Sequence, residues 1–147
     1  MNDAHNHAVL TEVVRRESRS LLQYVGDSYP WSTAKQHGIL AQIQQFVEEE
    51  SQAIGTIRRL LERRRVPTPY VGSYPTTFTS TNFVSLTYLL PKLAADEKKG
   101  ISALEQSLPL LEDTETREAV AGLLECKRKH LEALEGMIAS QQKPGAA

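Results

Sequence analysis

The chain has 147 residues, 40% of them hydrophobic, and a formal net charge of -1. That length suits one domain able to bury a core unaided, and the interspersed Lys/Arg and Asp/Glu offer no basic field to draw in nucleic acid or an anionic membrane. The single Cys126 excludes an intramolecular disulfide framework and a CxxC metal site.

No apolar run approaches the roughly 20 residues of a membrane span. Met1 to Leu10 carries Asp3, His5 and His7 where a signal peptide needs an apolar core. The expected protein is soluble and cytoplasmic, and its expected partner is a second copy in a homodimer or larger homo-oligomer.

Four segments repeat apolar residues at steps of three and four, the period of a helix with one buried face. The first runs from about Ala4 to Val25, with Leu10, Val13, Val14, Leu21 and Tyr24 in its stripe, and is stopped by Gly26-Asp27-Ser28-Tyr29-Pro30. The second opens at the capping-box pattern Thr33-x-x-Gln36 and carries Ile39, Leu40, Ile43, Val47, Ile54, Ile57 and Leu61. Arg63-Arg64-Arg65 suits the negative end of its dipole, and Pro67 and Pro69 forbid continuation.

Val66 to Thr81 then changes to Pro, Gly, Ser, Thr, Tyr and Phe with no helical period. A stretch of that length, at about 3.3 Å per residue, can run back along helices that rise about 1.5 Å per residue. The third helix then starts at the same end as the second. It covers about Asn82 to Leu111, with Leu86, Leu90, Leu93, Ile101, Leu104 and Leu108 inward and Pro91 as a kink or opening point. Asp113 is the expected N-cap of a fourth helix carrying Val120, Leu123, Leu124, Leu131, Leu134 and Met137. The prediction is one all-α domain over 1–140, a four-helix bundle with a long crossover between the second and third helices, and a disordered tail over 141–147.

Each stripe is interrupted once. The spacings 10, 13/14, 17, 21 place Glu17 inward, 43, 47, 50, 54 place Glu50, 90, 93, 97, 101 place Glu97, and 120, 124, 127, 131 place Lys127. All four fall near mid-helix, so an antiparallel packing brings them to one level.

The stretches Leu93 to Glu105, Glu112 to Arg117 and Leu124 to Leu134 resemble the second helix pair of rubrerythrin and bacterioferritin-type proteins of the ferritin-like superfamily. The first pair is similar in layout. In that family each pair supplies one Glu from its first helix and a Glu-x-x-His from its second, and the six side chains hold two irons. The resemblance implies a ferritin-like fold, with Glu17, Glu50, Glu97 and His130 as the retained metal-ligand positions. It also marks two departures: Ala53 stands at a histidine position and Lys127 at a glutamate position, so both Glu-x-x-His motifs are broken.

Two arrangements stay open. In one, the Lys127 ammonium replaces the metal charge and pairs with the three glutamates, which satisfies buried carboxylates without a cofactor. In the other, Glu17, Glu50, Glu97 and His130 hold one hard divalent ion such as iron or manganese. The corresponding functions are a non-catalytic protein that acts through association, and an iron- or manganese-binding oxidoreductase of rubrerythrin or ferritin type.

The remaining candidates have bland expectations. His5, His7 and His37 read as solvated, Cys126 as a packing residue beside Lys127 and Lys129, and Glu48 and Glu49 as a solvated face. Tyr29, Trp31, Tyr70, Tyr74, Phe78 and Phe83 gather around the crossover, where they close a core end or offer a partner surface.

Overall fold

A computed structural model describes residues 3–28, 33–67, 69–82 and 84–142. Their regular structure is entirely helical: α1 Asp3–Glu17, α2 Leu21–Ser28, α3 His37–Arg63, α4 Leu86–Ser107 and α5 Thr114–Gln142, with 3-10 turns at Ala34–Gln36, Thr76–Thr81 and Leu108–Leu110. Tyr29, Trp31, Phe83 and the tail beyond Gln142 lie outside the described residues.

The single first helix expected over 4–25 is two helices. After Glu17 the hydrogen bonds tighten, with Arg19 N–H donating to Arg16 O and Ser20 N–H to Glu17 O. Ser20 Oγ then accepts from Gln23 N–H at 3.2 Å, and the Asp96 carboxylate of α4 accepts from Leu21 N–H at 2.9 Å, so α2 starts afresh with its own cap. The break shifts the buried phase: Leu21, Leu22 and Val25 enter the core, while Tyr24 is only half-buried. Gly26, read as a stop, lies inside α2, where a Cβ would meet a methyl of Val47 at 2.7 Å. Its missing side chain lets α2 lie close against α3.

The Gln36 side chain accepts from Thr33 N–H at 3.1 Å, the glutamine half of the expected capping box. α3 ends with Arg65 in the left-handed region at φ 61°, and Val66 N–H closes onto Leu61 O at 2.9 Å. α4 begins at Leu86, later than expected, because Ser85 Oγ caps it by accepting from Tyr88 N–H. Pro91 sits within α4 without ending it.

Asp113 Oδ1 caps α5 by accepting Thr116 N–H at 2.8 Å, and both Arg64 Nη atoms reach the same carboxylate at 3.1 Å. Asn6, fully buried, donates to Asp113 and accepts from Glu112 N–H, so the start of α1, the end of α3 and the start of α5 meet. At the other end Gln36 donates to Thr87 at 2.6 Å, and Thr87 reaches Gln141 at 3.4 Å.

α5 packs along both α4 and α3, while α1 and α2 lie against α3 and α4. The segment after α3 is held beside α1 and α2: Arg15 and Arg19 donate to the carbonyls of Tyr70 and Gly72, Tyr74 OH to Asp27, and Tyr24 OH to Asn82. Tyr24, Tyr74 and Phe78 form the aromatic cluster, with ring centroids 5.2–6.5 Å apart. Tyr70, expected there, is 86% exposed.

The core is two apolar clusters. One holds Leu10, Val14, Ile57, Leu61, Leu104 and Leu124 among others, and the second holds Leu22, Ile43, Leu90, Leu93 and Leu134 among others. On every long helix the charged interruption falls between the two. No helix among the described residues is long and apolar enough to cross a membrane.

Asp113→Ala is expected to lower stability by about 1–2 kcal/mol, the scale of a lost N-cap, in urea unfolding at pH 7. The Arg64 guanidinium holds the Asp113 carboxyl down to about 2. Its contribution is therefore present above the ordinary carboxylate range and lost as pH falls through about 2, so the deficit of the variant shrinks over that acid interval.

Candidate functional site

The apolar period of each helix places one charged residue inward at the level between the two core clusters. Glu17, Glu50, Glu97 and Lys127 are each no more than 2% exposed. Lys127 Nζ lies 2.8 Å from Glu17 Oε1, 2.9 Å from Glu50 Oε1 and 3.1 Å from Glu97 Oε1. The contacts to Glu50 and Glu97 are hydrogen bonds, whereas that to Glu17 is an ion pair outside the angular range of one. Glu17 Oε2 accepts in addition from Arg16 Nε at 3.1 Å.

His130, one turn beyond Lys127 on α5, faces the same cluster. Its Nδ1 is 2.7 Å from Glu50 Oε2 and its Nε2 is 3.0 Å from Glu49 Oε1. Carboxylates only accept, so both nitrogens carry protons and the ring is an imidazolium. Its face stacks on Phe46 at 4.3 Å, and Cys126 Sγ lies 3.7 Å from Nε2. Glu49, read as solvated, is exposed yet holds the outer edge of this ring.

Burial opposes charge throughout, and the partners decide which groups keep it. Burial alone would raise Glu50, but His130, the Lys127 ammonium and Glu97 hold its carboxylate well below the usual range. Burial disfavours the Lys127 charge as well, and the surrounding acids outweigh it and raise its pKa. The His130 imidazolium is pushed up to about 10 by the Cys126 sulfur and Glu50, again against burial. Glu97 goes the other way: burial and the neighbouring Glu50 charge raise it despite Lys127. Glu97 Oε2 is buried with no donor directed at it. The upward shift favours a proton on this carboxyl, which lessens the negative charge crowded around the ammonium.

The space for the lysine comes from a residue the stripe pattern passed over. A Cβ on Gly100 would lie 2.5 Å from Lys127 Cε and 3.3 Å from Glu17 Oε2. The sequence signal is a glycine inside a helix, where it costs about 1 kcal/mol relative to alanine. A cavity of about 360 Å³ opens beside it, lined by Arg16, Glu17, Asp96, Gly100 and Lys127 together with Phe78. Asp96, also passed over, caps α2 from beside the cluster.

Glu50, Glu97 and His130 form a buried group that could bind a metal ion, one ligand atom from each lying within 4.8 Å of the others. Glu17 is not part of that group, and Ala53 packs against the apolar core. The donor chemistry fits an ion only if protons leave first. The Lys127 ammonium is hydrogen-bonded to two of these three residues, and both His130 nitrogens are engaged with carboxylates. A two-metal centre does not fit, because the ammonium stands between the acids that would bridge it. His5 and His37 are exposed; His7 is half-buried, with Nε2 enclosed and without a hydrogen-bond partner. No family model, curated protein or solved structure matches this chain.

Lys127→Met leaves buried acids without their cation, and urea unfolding at pH 7 should show a loss of about 3–5 kcal/mol. The deficit narrows as pH is lowered and the carboxyls take up protons. Gly100→Ala should lose about 1–3 kcal/mol through overpacking against Lys127, although alanine is the better helix former. A variant as stable as the parent would show that the lysine yields freely.

His130 supplies a pH signature. Its folded value of about 10 lies above its ordinary 6.5. The stability it contributes is therefore complete below the ordinary value and disappears as pH rises through the folded one. His130→Gln should be weakest relative to the parent in mild acid, and the two unfolding curves should converge near pH 10.

Proposed function

We propose that this chain is a ferritin-like four-helix bundle whose metal centre is replaced by a buried lysine, and that it acts through association with another chain or a second copy of itself. In this reading α1 with α2 forms the first arm, α3, α4 and α5 form the others, and residues 64–85 cross back between the second and third. Support for the topology comes from the ends of the helices. Arg64 and Asn6 meet Asp113 at one end, and Gln36 meets Thr87, which in turn meets Gln141, at the opposite ends of α3 and α5. These contacts support α3 and α4 starting at the same end, with the segment between them returning along the bundle.

One observation carries the functional reading: Lys127 Nζ sits 2.8–3.1 Å from three carboxyl groups supplied by three different helices. A fixed positive charge there supplies what a divalent ion would supply electrostatically, yet it has no redox chemistry and no open coordination position. A second reading rests on the spacing of Glu50, Glu97 and His130, which suits one iron or manganese ion. It requires Lys127 to withdraw and His130 to lose a proton.

Elemental analysis of protein expressed in iron- and manganese-supplemented medium separates the two. The lysine-centred reading expects far less than one ion per chain and a melting temperature unchanged by chelator; one tightly held ion per chain overturns it. Lys127→Glu restores a Glu-x-x-His at 127–130 and adds a fourth acid. It should melt below the parent in chelator and recover when ferrous or manganous ion is added.

A further inference from the structure

A second cavity, of about 260 Å³, lies at the break between α1 and α2, on the face toward α3. Its lining includes Ser18, Arg19, Ser51, Arg58 and Tyr74, with Asp27 as the one acid. Most other arginines with buried or half-buried surroundings answer a carboxylate: Arg16 answers Glu17, and Arg64 answers Asp113. Arg19 and Arg58 are half-buried and have none within ion-pair distance among the described residues.

Both converge on Ser18. Arg58 Nη2 donates to Ser18 Oγ at 2.8 Å, and Arg19 Nη1 donates to Ser18 O at 3.1 Å. Arg19 is held in place by Gly72 O at 2.7 Å and by the Tyr74 ring, 4.6 Å from its guanidinium carbon. Arg58 Nε is buried with no hydrogen-bond partner. Asp27 is exposed, and its carboxylate is occupied by Tyr74 OH at 3.0 Å. Two half-buried guanidinium groups, Arg58 on the Ser18 hydroxyl and Arg19 on the Ser18 carbonyl, leave positive charge and donor capacity unanswered, which is the arrangement that planar donors use to bind tetrahedral oxyanions.

We propose that this cavity is a phosphate site, taking the group either as free phosphate or as the head of a small phosphomonoester. The Arg19 and Arg58 side chains supply charge and paired N–H donors, and the Ser18 hydroxyl, which accepts from Arg58, retains its own proton to donate. The volume lies just under the range of drug-sized pockets, which suits a phosphate with a short substituent. Arg19 lines both this cavity and the one beside the Lys127 cluster, but none of Glu17, Glu50, Glu97 and Lys127 lines this one.

Isothermal titration calorimetry of the full chain tests it, with inorganic phosphate and glycerol 3-phosphate as ligands and chloride at matched ionic strength as control. Saturable binding of one phosphate per chain is expected, with none for chloride. Arg58→Met and Arg19→Met should each weaken it by about tenfold or more, the scale of a lost charged hydrogen bond, while Arg59→Met, exposed one residue away, should leave it unchanged. Tighter binding of glycerol 3-phosphate assigns the site to an esterified phosphate, and tighter binding of inorganic phosphate to the free ion. Absence of saturable binding by both overturns the proposal. So does undiminished affinity in Arg58→Met or, should that variant not fold, in both Arg19→Met and Arg58→Lys.

Discussion

The ammonium of Lys127, shut away from water among Glu17, Glu50 and Glu97, is the constraint to which the rest of the structure answers. A buried ion pair is poor evidence for net stability, because desolvation consumes most of what the attraction returns. Its effect is on register. Each acid comes from a different helix, and a slip of one helix by a single turn, about 5.4 Å, would leave a buried charge without a partner. Apolar side chains tolerate such slips far better, since one leucine can replace another in contact. The polar layer thus fixes the relative heights of α1, α3, α4 and α5 in a way that the leucines above and below it do not.

The two apolar clusters on either side of the layer are closed by polar links at their far ends. Asn6, Arg64 and Asp113 join three helix termini at one end, and Gln36, Thr87 and Gln141 join three at the other. The same logic operates at three levels: a polar group inside or at the edge of the core is acceptable when each of its donors and acceptors is answered, and it then specifies one arrangement. Among the described residues the exceptions are Glu97 Oε2 and Glu17 Oε1 in the charged layer itself, the latter meeting Lys127 only as an ion pair, and His7 Nε2, Arg16 Nη2 and Arg58 Nε around α1 and its junction with α2, each enclosed without a hydrogen-bond partner.

The register of the charged residues was legible in the sequence because it depends only on helical period, which survives small errors in helix boundaries. The helix at Asp113 was legible for a similar reason, since an N-cap is a local device. The break after Glu17 was readable in principle: Ser20-x-x-Gln23 is the same capping pattern as Thr33-x-x-Gln36, but it stands inside an apolar stripe that runs on in phase. Asp96 and Asn6 were not legible, because their roles depend on backbone groups 75 and 106 residues away that no local pattern reveals. Gly100 was visible as an oddity in a helix, yet its meaning required knowing how far Lys127 reaches. His130 was found through its resemblance to a ligand position, and its engagement with Glu49 could not be read, since that residue belongs to an acidic run that otherwise faces solvent.

The missing side chain at position 100 also ties that position to a second one on another helix. A methyl there would occupy the space now taken by Cε of Lys127, so the size allowed at 100 depends on the reach of the side chain at 127. The acids supply the charge that holds the lysine in the core, and the glycine supplies the room for its last methylene. A buried cation at 127 therefore depends on the absence of a side chain at 100 as much as on the presence of the three carboxyl groups.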